Sequence, residues 1–374
     1  MKSLAQITVV CLLMILTMDC MVRPLACLAS DEANTPGAGQ PAHPPIVRGF
    51  MSGHIRAGHF QDMRAYGANV VRLQIDVVKE IQTFWWRTFW DAWPLVLDRI
   101  EGWVKDAIDA GLWVVVDLHK PPIPYVDFEQ AELWNHPDLE TNFCRVWRDI
   151  AERLLPYRDH IYGYDLYNEP LDRGQLPRGP KQWPPLAKKI IEAIREVDTE
   201  TWIIYEPGPG SLWTNFIGLE PLDDPKVIYS CHFYSPQTYT HQGVYAKSLE
   251  EAEKQIGIDY PGFIDGKLYN RRLLESELWP VISFQQKYNV PIFVGEFSVV
   301  RWAPKEGAVQ WLKDVIDIFE SHGWSWCYHA FREWHGWSLE HDETFTLHDA
   351  VANPTNVETE RAKVIKAALQ KNWE

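Results

Sequence analysis

The sequence predicts an α/β fold, a (β/α)₈ TIM barrel formed by a single domain. Short, uniformly apolar runs alternate with amphipathic helical patterns along most of the chain. Runs that are apolar throughout are typical of strands covered on both faces, and therefore of a parallel sheet. Eight such runs favour a closed barrel. The alternative, an open doubly wound sheet, usually has fewer strands and a Gly-rich first turn, which is missing from the sequence RGFMSGH after the first run.

The predicted strands are separated by amphipathic stretches, four of which predict helices clearly. The strands are expected at 45–50, 68–75, 112–119, 161–168, 201–207, 226–234, 291–297 and 324–331. Apolar residues three and four apart predict helices at 96–111, 142–155, 185–197 and 308–323. Gly111 and Gly323 end two of these patterns, at the position where glycine commonly terminates a helix.

The N-terminus has the layout of an export signal. Lys2 precedes an apolar run over 7–16, and small residues near 26–30 offer a cleavage site, so we expect a signal peptide over 1–30. The apolar run is too short to span a bilayer. Cys20 suggests lipid anchoring as an alternative, but the Thr-Met-Asp sequence before it is unsuitable. A secreted or periplasmic protein is therefore expected.

Composition places the rest of the chain among globular proteins. Residues 31–44 are rich in Pro, Gly and Ala and read as a flexible leader, and 45–374 as one domain. The three cysteines beyond the predicted signal peptide, Cys144, Cys231 and Cys327, are widely spaced. An odd number of such residues favours buried thiols over a disulfide framework.

Charge and motifs exclude several classes of partner. A net charge of −15 disfavours nucleic acid, which requires a basic face. The sequence contains neither a phosphate-cradling glycine loop nor a paired metal-binding motif, so no nucleotide, metal or other cofactor is expected. We expect a monomer. The 19 tryptophans are numerous, and flat indole rings stack well on sugars and bases as well as packing in cores.

Polar residues cluster where the predicted strands end. In a barrel these ends converge on one face, where the chemistry of such proteins lies. The residues at or near strand ends are Arg72, His119, Asn168, Glu169, His232, Tyr234, Glu296, Arg332, Glu333 and Trp334. Glu169 and Glu296 follow strands four and seven, on roughly opposite sides of the mouth. Two like charges sharing a half-buried site destabilise a fold unless they serve a function.

Two facing carboxylates are what the cleavage of a glycosidic bond requires. One is held protonated to donate to the leaving oxygen, and the other stays ionised to attack or to stabilise the sugar cation. The sequence gives no distance between them, so it leaves retention and inversion of configuration open. Asp117 and Asp165, which lie within strands, are interpreted as hydrogen-bonding groups of the core.

The motifs YNEP at 167–170, HFY at 232–234 and VGEF at 294–297 resemble glycoside hydrolase family 5, retaining barrels of the cellulase and mannanase type. The resemblance covers roughly 45–370 and implies a role for each strand-end residue. Glu169 would be the acid/base and Glu296 the nucleophile. The resemblance further implies that Arg72 and Tyr234 hold the nucleophile, that Asn168 binds the sugar 2-hydroxyl, and that His119 and His232 bind hydroxyls or tune the acid.

The eighth strand departs from the family pattern, which places a tryptophan there to floor the sugar site. Trp334 is the preferred candidate, with Phe331 and Trp326 as alternatives. Further tryptophans occur in the loops after strands two and three. Each of these rings either packs its loop against the barrel or stacks on sugars beyond the cleavage point, and Trp85, Trp86 and Trp134 are the candidates for stacking.

The predicted substrate is an oligo- or polysaccharide with β-linked, neutral sugars. An endo-β-1,4-glucanase is the leading interpretation. A β-mannanase, an exo-acting β-glucosidase or a β-1,3-glucanase on the same fold remains open. A non-catalytic carbohydrate-binding barrel is the distant alternative, and it would be expected to lack one of the two carboxylates, both of which are present.

Overall fold

Eight parallel strands close into a barrel in the computed structural model, which describes residues 43–374. The strands are β1 (Arg48–Ser52), β2 (Val70–Ile75), β3 (Trp113–Leu118), β4 (Ile161–Asp165), β5 (Ile203–Tyr205), β6 (Val227–His232), β9 (Ile292–Phe297) and β10 (Ser325–Tyr328). The closed order β1-β10-β9-β6-β5-β4-β3-β2 confirms the predicted barrel. Most strands were predicted to be longer than they are, because apolar residues continue into the loops that flank them.

A small antiparallel hairpin, β7 (Gly262–Ile264) and β8 (Lys267–Tyr269), lies in the long connection between β6 and β9 and was not predicted. The signal peptide predicted over 1–30 and most of the leader predicted over 31–44 lie outside the described residues. Over the described range, no helix is both long and apolar enough to cross a membrane.

Helices cover the outside of the barrel. They are α1 (His59–Tyr66), α2 (Val77–Gln82), α3 (Phe89–Asp109), α4 (Ala131–Trp134), α5 (Leu139–Leu154), α6 (Trp183–Arg195), α7 (Gln237–Thr240), α8 (Leu249–Glu253), α9 (Arg271–Glu277), α10 (Trp279–Tyr288), α11 (Lys305–Ser321) and α12 (Glu360–Leu369). The four predicted helices correspond to α3, α5, α6 and α11. Helix α3 begins earlier than predicted because the Thr88 side chain accepts a hydrogen bond from the Asp91 amide and caps it.

The interior of the barrel changes character along the strands. Side chains two positions apart on a strand point to the same side. Val70, Val115 and Ile204 belong to an apolar cluster, and each is followed two residues later by a buried ionisable residue, Arg72, Asp117 and Glu206 respectively. The interior of the barrel is therefore apolar near the N-terminal ends of the strands, and the polar residues are concentrated near their C-terminal ends.

Candidate active site

The site is built around the buried cation Arg72. Its guanidinium contacts four carboxylates from four different strands or strand ends: Asp117 at 3.2 Å, Asp165 at 2.8 Å, Glu206 at 2.7 Å and Glu296 at 3.0 Å. Burial works against the charge of Arg72, but these carboxylates raise its pKa well above the ordinary value. One cation therefore ties β2 to the mouth-side ends of β3, β4, β5 and β9.

Asp117 and Asp165, which the sequence predicted to be hydrogen-bonding groups of the core, form hydrogen bonds within the site. Both are fully buried. Asp165 accepts from Arg72, and Asp117 pairs with His119 at 2.8 Å between Oδ2 and Nδ1. Burial raises the pKa of Asp165 well above its ordinary value in spite of Arg72.

Each oxygen of Glu296 has its own donor. Arg72 Nη1 donates to Oε1 at 3.0 Å, and the Tyr234 hydroxyl donates to Oε2 at 2.8 Å. Burial alone would raise the pKa of Glu296, but the positive charges of His232, His329 and Arg72 together lower it below the ordinary value. The arrangement holds Glu296 as an oriented anion.

Glu169 follows β4 in a left-handed backbone conformation, with a φ of 48°. This conformation is uncommon for a residue other than glycine. The Glu169 amide donates to Glu206 Oε2 at 2.8 Å, which helps to hold the backbone in place. The Glu169 side chain is 43% exposed, compared with 6% for that of Glu296. Glu169 thus reaches into the open mouth, whereas Glu296 lies at its base.

His232 lies between the two glutamates. Its Nδ1 is 2.8 Å from Glu169 Oε1 and 3.7 Å from Glu296 Oε2, and its Nε2 is 3.2 Å from Glu206 Oε1. Burial opposes protonation of the ring, yet the surrounding carboxylates raise the pKa of His232 well above its ordinary value.

Glu169, His232 and Glu296 each place one potential ligand atom within 4.8 Å of the others. Such a trio could hold a cation if its imidazole were neutral. Both nitrogens of His232 face carboxylates, however, and a protonated imidazole has no lone pair for a metal. The local chemistry therefore fits a hydrogen-bonded charge network better than a metal site.

Two other predicted residues face the same mouth. Asn168 Oδ1 accepts from Arg72 at 3.0 Å, which commits the carbonyl end of the amide and leaves the NH₂ group as its remaining donor. His119 is partly exposed, with its Nδ1 paired to Asp117. The predicted strand-end residues from Arg72 to Glu296 are thus brought together, while their chemical roles remain predictions.

Sequence reasoning missed Glu206 and His329. Glu206 directly follows β5 and joins Arg72, His232 and the Glu169 amide. Its position at the end of an apolar run was the same signal that identified Glu169. His329 directly follows β10, and its Nδ1 lies 2.7 Å from the Tyr234 hydroxyl. It stood inside a predicted strand, so it was not recognised as a mouth residue.

The aromatic predictions for the eighth strand need correction. Phe331 is 4% exposed and packs against Phe50 and Tyr66, and Trp326 is fully buried, so neither can floor a sugar site. The half-buried Trp334 donates its indole N–H to the His348 carbonyl and stacks on the His348 ring. Trp334 thus stays a prediction, and a further tryptophan, Trp337, lies beside Tyr234 at 6.1 Å between ring centroids.

The loop tryptophans divide into two kinds. Trp134 is 3% exposed and donates to the Leu171 carbonyl, so it packs its loop and cannot stack on a sugar. Trp85 and Trp86 are 82% and 61% exposed and meet edge to face. They precede α3, on the same side of the barrel as the strand ends.

A (β/α)₈ barrel with two carboxylates meeting across the C-terminal mouth defines a class, the barrel hydrolases that act with a pair of acids. The family model for cellulases of glycosyl hydrolase family 5 matches residues 38–333. The chain belongs to glycosyl hydrolase family 5 and is a glycoside hydrolase of the cellulase type.

The sequence identity between this chain and individual relatives is modest. Endoglucanase C of Acetivibrio thermocellus is 28% identical over 247 residues, covering 60% of this chain and 69% of the relative. Cellodextrinase A of Ruminococcus flavefaciens is 25% identical over 229 residues, covering 60% and 65%. A solved hyperthermophilic endo-β-1,4-glucanase in complex with substrate is 25% identical with a TM-score of 0.63, covering 81% of this chain and 94% of that one.

Removal of the central cation is expected to destabilise the protein strongly at neutral pH. Arg72→Met leaves buried carboxylates without their counter-charge, so we expect a loss of about 3–5 kcal/mol in the free energy of unfolding. The surface variant Arg332→Met, which loses partly exposed pairs with Glu340 and Asp62, should lose less than about 1 kcal/mol. Urea unfolding measures both.

The loss in Arg72→Met should depend on pH in a defined direction. The pKa of Glu296 and that of Glu206 are lowered in the folded protein, so these groups contribute stability at neutral pH that disappears as the pH falls through their folded pKa values. The variant lacks part of this contribution, so its deficit should shrink on acidification. A stability deficit that grows as the pH falls would contradict the role of Arg72 as the counter-charge of these carboxylates.

Proposed function

We propose that the protein is a retaining endo-β-1,4-glucanase that acts by double displacement, with Glu296 as nucleophile and Glu169 as acid/base. The supporting observation is the approach of the two carboxylates, which bring an oxygen of each within 4.8 Å. Retaining enzymes hold these groups about 5–5.5 Å apart, whereas inverting enzymes need about 6.5–9.5 Å to admit a water molecule.

The first displacement forms a glycosyl ester. A Glu296 oxygen attacks the anomeric carbon while the bond to the leaving oxygen breaks, and Glu169 transfers its proton to that oxygen. The lowered pKa of Glu296 keeps the attacking group ionised. The half-exposed Glu169 side chain can exchange protons with solvent between turnovers.

The second displacement restores the enzyme. Glu169, now ionised, accepts a proton from a water molecule whose oxygen attacks the anomeric carbon, and the ester bond to Glu296 breaks. His232, which contacts both glutamates, keeps a positive charge between them as their protonation states alternate. The free NH₂ group of Asn168 suits the sugar 2-hydroxyl, a contact that strengthens in the transition state.

Endo action on a β-1,4-glucan is favoured over the other substrates by the relatives and by the loops. The name of endoglucanase C indicates endo action on a glucan, and that of the solved endo-β-1,4-glucanase also gives the linkage. The exposed rings of Trp85 and Trp86 would add binding surface beyond the cleaved bond, as a long chain requires. Export by the N-terminal segment belongs to the same proposal, because polysaccharides of this kind are met outside the cell.

Hydrolysis products on carboxymethyl cellulose, β-1,3-glucan and mannan test the substrate. We expect mixed oligosaccharides from the β-1,4-glucan and little release from the other two polymers. Release of glucose alone would support exo action. Preferential release from mannan or from β-1,3-glucan would replace the proposed substrate while keeping the mechanism.

Glu296→Ala should abolish turnover of an aryl β-cellobioside, with a loss of at least about 10⁴-fold in kcat. Azide fits the space left by the carboxylate and can attack in its place. Added azide should therefore restore part of the activity and yield the α-configured glycosyl azide, detectable by NMR. The exposed Glu192→Ala on α6 is the control and should behave as wild type. Full activity in Glu296→Ala would contradict the nucleophile assignment.

The double variant Trp85→Ala/Trp86→Ala should bind long chains less well. We expect KM for carboxymethyl cellulose to rise roughly thirtyfold, since each of the two lost stacks is worth about 1 kcal/mol. The KM for a short aryl cellobioside should not change. Trp373→Ala is the matched control, because this half-exposed indole donates its N–H to the Gly67 carbonyl before β2, at the opposite end of the barrel. Equal KM values for the polymer would remove these rings from the substrate site.

A further inference from the structure

A further histidine, His329, and a further carboxylate, Glu333, lie behind the proposed nucleophile. The Tyr234 hydroxyl is 2.8 Å from Glu296 Oε2 and 2.7 Å from His329 Nδ1. Beyond them, His329 Nε2 faces Glu333 Oε1 at 3.9 Å. The four side chains form a continuous row from Glu296 to Glu333.

The direction of these hydrogen bonds follows from the chemistry of their atoms. An ionised carboxylate only accepts, so the single hydroxyl proton of Tyr234 is donated to Glu296. The Tyr234 oxygen must then accept from His329, which places a proton on Nδ1. Because Tyr234 carries only one proton, it cannot donate to Glu296 unless His329 is the donor on its other side.

Glu333 is held so that one oxygen faces His329. Its Oε2 accepts from the Gly53 amide at 3.3 Å and from the Gln74 amide at 3.1 Å, which leaves Oε1 toward the imidazole. The His329 and Glu333 side chains are only 16% and 20% exposed. This counter-charge favours a second proton on Nε2 and thus a positive ring.

We propose that His329 is a positioning residue that acts through Tyr234 to keep Glu296 oriented and anionic, with Glu333 as its counter-charge. This inference rests on the proposed function. The His329 imidazole supplies a positive charge that the family pattern, with a tryptophan at this end, does not supply. In direct support, His329 Nδ1 lies 3.5 Å from Glu296 Oε2. Burial lowers the pKa of His329, but Glu296 and Glu333 raise it above the ordinary value.

Other charged and titratable groups face the same row. Those around Glu296 are Arg72, His119, His232 and Tyr234, and those around His329 are Tyr234, His232, His241 and Glu333. Burial and the charge of His329 lower the pKa of His241 to about 3, so His241 stays neutral and does not compete for the role. Arg72 and His232 remain in any variant of His329, so the expected effect is partial.

The charge of Glu296 can be read without the acid/base step. A 2-deoxy-2-fluoro-β-cellobiosyl fluoride esterifies the nucleophile and releases fluoride, which needs no proton from Glu169. Its inactivation rate therefore falls as Glu296 becomes protonated. His329→Asn keeps an N–H near the Nδ1 position but removes the positive charge, and His160→Asn, an exposed residue before β4, is the matched control.

We expect the acidic midpoint of inactivation to rise by about 1 pH unit or more in His329→Asn, since loss of an opposite charge at this distance commonly shifts a carboxyl pKa by about 1–3 units. His160→Asn should follow wild type. A role limited to packing would lower the rate at every pH and leave the midpoint in place. An unchanged midpoint in His329→Asn would overturn the proposal.

A measurement on the wild-type protein avoids any folding defect of the variant. Esterification removes the charge of Glu296, so the His329 imidazole, followed by NMR, should titrate at lower pH in the labelled protein than in the free one. An unchanged titration would also overturn the proposal. If neither this reagent nor its mannobiosyl counterpart esterifies Glu296 in the wild type, the proposed function itself fails. If the wild type is esterified normally but the pH midpoint of inactivation is the same in His329→Asn, only the proposed role of His329 fails.

Discussion

The burial of Arg72 is the constraint on which the rest of the site depends. A guanidinium without exposure to water needs counter-charges, and four carboxylates converge on it from four different strands or strand ends. Four acids around one cation leave an excess of negative charge. His232 and His329 compensate for it, since the carboxylates around each raise its pKa. The position of each catalytic candidate is thus part of one charge balance inside the barrel.

The two glutamates occupy environments that differ in the way the proposed roles require. Glu296 is buried, with a donor on each oxygen and a lowered pKa. Glu169 is half exposed and held through its backbone by Glu206 as well as through its side chain by His232. Two chemically identical side chains acquire different tasks because one is surrounded by fixed positive charge and the other can reach solvent.

Position at the end of a predicted strand identified most residues of this site, and the residues that it missed or misassigned have clear structural reasons. Arg72, Glu169, His232, Tyr234 and Glu296 were predicted from position alone and do meet. Glu206 satisfied the same rule and was overlooked. The aromatic assignments were less successful, because Phe331, Trp326 and Trp134 are buried by contacts with distant segments. Local sequence does not distinguish an indole that packs a loop from one that faces a substrate.

The sequence by itself determined the barrel and the side of it on which chemistry is placed, because alternation of strands and helices and the parity of side chains along a strand are local properties. Only the tertiary structure decided which carboxylates share Arg72, how close Glu169 comes to Glu296, and that His329 contacts the Tyr234 hydroxyl. These outcomes depend on closure of the sheet, which brings residues far apart in the chain within hydrogen-bonding distance.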